Sequence, residues 1–129
     1  MSGGVRVVTA FTLLGDDGRS WQVPTWVEWS PGDPLAVRLW FPRDHAEWFV
    51  ARELLIAALT SDEAGDGDVQ FWCPQERTDC VGLVLDSPSG HAEFHAPREA
   101  LIELIVASEP GFRAAVDAWQ ETWLEGVLA

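Results

Sequence analysis

Lysine, asparagine and tyrosine are missing altogether from the 129 residues, and cysteine and methionine are scarce, at two and one. Every positive side chain is therefore an arginine, which removes the phosphate-binding lysine that a P-loop requires. Eight basic residues face 21 acidic ones, a net charge of −13 spread along the chain. Such a balance repels phosphate backbones and argues against a nucleic-acid partner. The codons of the three missing residues are AT-rich, so their absence points to GC-rich coding DNA. No run approaches the ~18 apolar residues of a membrane span. The start, Met1-Ser2-Gly3-Gly4, has neither the charged lead nor the apolar centre of a signal peptide. A cytoplasmic protein is expected, and in a reducing compartment Cys73 and Cys80 read as two packed thiols rather than a bridge.

What is present suits a core: 47% of the residues are hydrophobic, and this length fits one domain over residues 1–129. The chain is organised around Glu47–Leu59, EWFVARELLIAAL. Glu47 to Val50 is aromatic and β-branched and suits a strand. The residues from Ala51 are good helix formers. Val50, Leu54, Leu55, Ala58 and Leu59 share one face of that helix, which leaves Arg52, Glu53 and Thr60 towards water.

Upstream, the strand Val5–Leu14 ends at Gly15-Asp16-Asp17-Gly18, a hairpin turn. In the next strand Trp21, Val23, Thr25, Val27 and Trp29 alternate with Ser20, Gln22, Pro24, Trp26 and Glu28. Pro24 calls for an edge or a bulge. A third strand points Leu35, Val37, Leu39 and Phe41 inward and Ala36, Arg38 and Trp40 outward. Downstream, an acidic glycine-rich loop over 62–68 precedes strands at 69–73, 80–85 and 91–95, the last two joined through a turn at Ser87-Pro88-Ser89-Gly90. A helix follows Pro97, and Pro110 opens another whose Phe112, Val116, Trp119, Trp123 and Val127 recur at three- and four-residue steps. The fold class is α+β: two antiparallel β-meanders, each followed by a helix, with an extra C-terminal helix.

Trp26, Trp40 and Trp72 fall on the otherwise polar faces of their strands. Rings so placed need cover, either from sheet curvature and the last helix or from another subunit. These three, with Trp119 and Trp123, are the candidate interface residues, although the last two have the spacing of a stripe that docks a helix on its own domain.

Catalytic and metal chemistry have no motif. HAEFH differs from the HExxH of zinc proteases, and on a strand His91 and His95 stand ~13 Å apart, too far for one zinc ion that holds each nitrogen at about 2 Å. They read as surface histidines beside Glu93. Gly65 and Gly67 lie among carboxylates and form a turn. Ser87 and Ser89 lack a G-x-S-x-G frame. No catalytic residue, cofactor site or metal site is assigned.

Five stretches in register resemble a known family. They are Asp33-Pro34-x-Ala36-Val37; Glu47-Trp48 through Phe49-x-Ala51-Arg52-Glu53-Leu54-Leu55-x-x-x-Leu59; Gly65-x-Gly67-Asp68-Val69-x-x-Trp72; Ser87-Pro88-x-Gly90-x-Ala92; and Ala96-Pro97-x-x-Ala100-Leu101. Their order over residues 20–108 is similar to that of the SsgA-like sporulation and cell-division proteins of actinobacteria, the SsgB branch most of all. The resemblance implies a protein without enzymatic activity that helps to place or assemble the division GTPase FtsZ at septa, together with other septum proteins. It also implies a Whirly-like fold and a homotrimer. That fold supplies the alternative function, single-stranded nucleic-acid binding, for which the chain has few clustered cations.

Overall fold

The computed structural model describes residues 3–61, 63–74 and 77–128. Eight strands and two helices follow in the order β1 (Val5–Leu14), β2 (Ser20–Ser30), β3 (Asp33–Phe41), β4 (Ala46–Ala51), α1 (Arg52–Thr60), β5 (Glu63–Asp66), β6 (Val69–Trp72), β7 (Cys80–Ser87), β8 (Gly90–Pro97) and α2 (Arg98–Leu128). The fold is α+β, with four antiparallel strands and a helix in each half. The strands form one sheet in the order β4-β3-β2-β1-β8-β7-β6-β5. The halves meet where Thr12, Leu13 and Leu14 of β1 face His95, Phe94 and Glu93 of β8.

The sheet must curl. β3 and β8 are three strands apart, about 14 Å on a flat sheet, yet the rings of Phe41 and Phe94 stack with centroids 5.4 Å apart. Phe11 meets both rings edge-on at 6.0 Å. Inside the curl lie Val27, Val37, Val81 and Leu83, and Leu55 of α1 and Leu101 and Leu104 of α2 close it. The alternation expected for β2 holds from Val23 to Trp29, while Trp21 at the strand's start is 48% exposed. Leu35 likewise faces solvent at the start of β3, although Val37, Leu39 and Phe41 are buried as expected. Pro24 is tolerated because β3 pairs with β2 only from Trp26 onward, so no ladder bond on that side needs its missing N–H. The register then slips between Glu28 and Ser30, and the Trp29 indole, its Nε1 donating to the Pro34 carbonyl at 2.9 Å, turns in beneath α2. Gly111 leaves room for that ring, since a Cβ there would lie 2.9 Å from it.

Three expectations need correction. Part of the acidic glycine-rich loop is strand β5, held by backbone pairing with β6 from Glu63 opposite Trp72 to Asp66 opposite Val69. Its sequence, Glu-Ala-Gly-Asp, has no alternation to reveal it, and Asp62 lies outside the described residues. The two C-terminal helices are one, with Pro110 inside α2; the described residues hold no extra helix beyond it. Proline deprives one carbonyl of its helical partner, but packing on both sides of it holds the helix together. Third, Arg52 does not face water: it is 3% exposed.

Candidate interaction surfaces

The outer face of β1–β4 carries two cross-strand rows. In one, Arg6 lies opposite Glu28, Glu28 opposite Arg38, and Arg38 opposite Phe49. In the next, Val8 faces Trp26, Trp26 faces Trp40, and Trp40 faces Glu47. Register thus places each arginine beside a tryptophan. The Arg6 guanidinium sits 4.3 Å from the Trp26 ring centroid and that of Arg38 sits 4.7 Å from Trp40. Carboxylates hold both in place: Arg6 Nε donates to Glu28 at 2.7 Å, Arg38 Nε donates to Glu47 at 2.6 Å, and Arg38 Nη1 reaches Glu28 as well. Burial pushes the Glu28 carboxyl up, but the hydrogen bonds from Arg6 and Arg38 outweigh it, so the group stays below its ordinary range. Two half-buried tryptophans are therefore covered from within the chain by flat cations, which favour indole faces. A cleft of about 410 Å³ beside them is lined by Arg6, Glu28, Arg38 and the exposed Phe49.

Trp72 stands apart from this pair, four strands from Trp26 in the order of the sheet. Its ring lies over Gly82, where a Cβ would come within 2.1 Å of the indole, and meets His95 edge-on at 6.3 Å. His95 is thus half-buried against a ring rather than a free surface group. His91 is exposed as expected, hydrogen-bonded to Asp86 at 2.6 Å and to Glu93 at 3.2 Å, and these carboxylates raise its pKa. Among the described residues no group of three or more histidine, cysteine or acidic side chains could hold a metal ion.

Arg52 joins the two helices. Its Nε and Nη2 donate to Ser108 Oγ at 3.3 and 3.2 Å, and Nη2 also donates to the Ile105 carbonyl at 3.2 Å and to Glu109 at 2.8 Å. Its guanidinium lies 4.1 Å from the centre of the Phe112 ring. A signal for this was present: Arg52, Leu55 and Ala58 recur every three residues, and all three are buried.

Beyond this joint α2 leaves the body, and every described side chain from Asp117 to Val127 is exposed. That free stretch is 16 Å long at about 1.5 Å per residue. Trp119 and Trp123 are 66% and 56% exposed, and Leu124 and Val127 are exposed with them. They do not dock the helix on its own domain. Trp119, Trp123 and Val127 share a face at four-residue spacing, and Asp117, Glu121 and Glu125 repeat on another side. The sequence-marked tryptophans therefore form three separate places: Trp26 with Trp40, Trp72 over Gly82, and the α2 end.

Residues 23–111 match the family model described as Streptomyces sporulation and cell division protein, SsgA. The chain belongs to the SsgA family. A solved structure concerning SsgB of Streptomyces coelicolor, in which mutations correlate to longitudinal cell division during sporulation, is 29% identical. It covers 92% of this chain and 88% of its own, with a TM-score of 0.70. The crystal structure of an SsgA-like sporulation-specific cell division protein from Thermobifida fusca is 28% identical over 95% of both chains, with a TM-score of 0.76. No curated protein gives a significant match. The family match ends at Gly111, so the exposed tryptophans of α2 lie outside the matched segment. Among the described residues, no helix of this SsgA-family protein is long and apolar enough to cross a membrane.

Proposed function

We propose that this SsgA-family protein is a non-enzymatic interaction protein that helps to position or assemble FtsZ at sporulation septa, acting in the cytoplasm with other septum proteins. The observation that carries the reading is the match of residues 23–111 to a family of sporulation and cell division proteins. The α2 end supports it with a surface of the right kind. Buried aromatic anchors dominate most interfaces, and here two indoles one turn apart stand in solvent on a helix that continues out of the core. Trp26 and Trp40 are the second candidate patch, already partly covered by arginine. A Whirly-like relation, a single SsgA-like domain over residues 1–129 and a homotrimer belong to the same proposal, and the strands-then-helix plan of each half agrees with the first.

Co-sedimentation with FtsZ polymers tests the reading. Trp119→Ala and Trp123→Ala should each weaken binding about thirtyfold while leaving thermal unfolding unchanged, because neither ring packs on the body. Wild-type protein that neither co-sediments nor alters polymer assembly would overturn the direct FtsZ role.

A further inference from the structure

The end of the curl away from the helices holds a second concavity. Leu13, Val23, Phe41, Trp48, Leu85 and Phe94 line a wide-mouthed cavity of about 370 Å³ to which, among the described residues, neither helix contributes. The stacked rings of Phe41 and Phe94 lie side by side in its wall. Asp44 and His91 also line it, and His91 is bracketed by Asp86 and Glu93. Ala46 and Trp48 on one side belong to β4, the end strand of the sheet, which among the described residues pairs with β3 alone. Natural edge strands are blunted by lysine, proline or bulges. β4, Ala-Glu-Trp-Phe-Val-Ala, has none of these. Because α1 leaves from its far end, the segment beside the cavity is Ala46 to Phe49, where Glu47 and Phe49 are exposed.

We propose that the free edge of β4 and this cavity together form a docking site for an extended segment of a partner polypeptide, one with a large apolar side chain flanked by arginine or lysine. Strand addition would satisfy the unpaired N–H and C=O groups of the edge, and the two-residue period would send one side chain into the cavity and its neighbours outward. The charges around the site select the flanks. Asp44 lines it and Asp86 and Glu93 bracket the lining His91, on a chain of net charge −13, so a basic strand is attracted and an acidic one repelled. The volume is near the floor of the roughly 300–1,000 Å³ typical of small-molecule pockets and suits a single anchoring ring. The site uses no residue of the α2 stripe, so it stands or falls separately from the FtsZ reading.

The probe is a fluorescein-labelled peptide, Arg-Val-Arg-Trp-Arg-Val-Arg, followed by anisotropy at moderate salt. Three comparison peptides carry Ser for the central Trp, Glu for every Arg, or N-methyl groups on alternate backbone amides. Micromolar binding of the parent is expected, with all three comparisons losing it. In the protein, Ala92→Leu should intrude into the cavity and weaken binding about thirtyfold, and the exposed rim variant Asp44→Arg should weaken it several-fold. Melting curves establish that both variants are folded; if Ala92→Leu is not, the peptide panel on wild-type protein still decides. The proposal is overturned if the parent does not bind, if the N-methylated peptide binds equally well, or if a folded Ala92→Leu variant leaves binding unchanged. It is equally overturned if the wild-type chain self-associates in a way that Ala92→Leu abolishes and that blocks the peptide, since a second copy would then own the edge.

Discussion

Arg52 is buried among Ser108, Glu109, the Ile105 carbonyl and the Phe112 ring, so truncating it removes several contacts at once. Ser108 would keep its own hydrogen bond to Ile105 at 3.1 Å, and Glu109 would keep Arg113 at 2.9 Å, so neither partner is orphaned. Arg52→Ala is therefore expected to cost roughly 2–4 kcal/mol, below the worst cases for a broken buried pair, measured as a shift of the urea midpoint. Gly82→Ala forces the Trp72 ring aside and should cost about 1–3 kcal/mol. Stability should also follow pH through Glu28. Its folded pKa is lowered, so its contribution is fully present above the unfolded value near ~4.3 and is lost as the pH falls through the folded value. Urea unfolding of Glu28→Gln between roughly pH 3 and 6 should show a shallower acid loss than wild type. For His91 the sign reverses. Its raised pKa gives a contribution present below ~6.5 that fades as the pH rises through the folded value. Cys80 is buried and Cys73 half-buried, both as free thiols, and burial pushes the Cys80 thiol up. A thiol titration of denatured, unreduced protein should find two, and in native protein Cys80 should react slowly.

At the scale of elements, α2 has two unlike halves. Its first half is fixed by buried Leu101, Leu104 and Ser108; its end from Asp117 touches no core. Ending the chain after Val116 should therefore change stability by less than ~0.5 kcal/mol, the ordinary range of surface changes, while removing the whole α2 candidate interface. A large drop in melting temperature would show that the free end packs on something. Pro110 interrupts the helical bonding without ending it, so Pro110→Ala restores one N–H and should raise stability by about 1–2 kcal/mol, less than the full helix penalty of proline because alanine also loosens the unfolded chain. Periodicity made most elements legible. β2, β3, β6 and β7 announced themselves by alternation, β1 and β8 by the turns that bound them, and the passage from β4 to α1 by a change of residue type at Ala51. β5 did not, because a four-residue strand held by backbone pairing leaves no mark in its side chains.

For the whole molecule, charge and oligomeric state are the properties to measure. Arg6, Arg19, Arg38, Arg52, Arg77 and Arg113 each pair with a carboxylate, which leaves little to displace counterions from a phosphate backbone. Single-stranded oligonucleotides should show no salt-sensitive micromolar binding by anisotropy; finding it would favour the nucleic-acid alternative. Light scattering at micromolar concentration tests the proposed trimer, and a clean species of 14.3 kDa would count against it. The sequence by itself determined the α+β class, the two-half plan, the inward faces from Val23 to Trp29 and from Val37 to Phe41, and the family resemblance, because these depend on local periodicity and on residues at fixed spacing. Only the tertiary structure decided what covers the outward tryptophans, where Arg52 lies, that one helix runs through Pro110, and that Trp119 and Trp123 stand free of the body. Each of those depends on which segments register and curvature bring together, and a guanidinium that caps an indole on the neighbouring strand, or a helix that outruns its core, has no period in the chain.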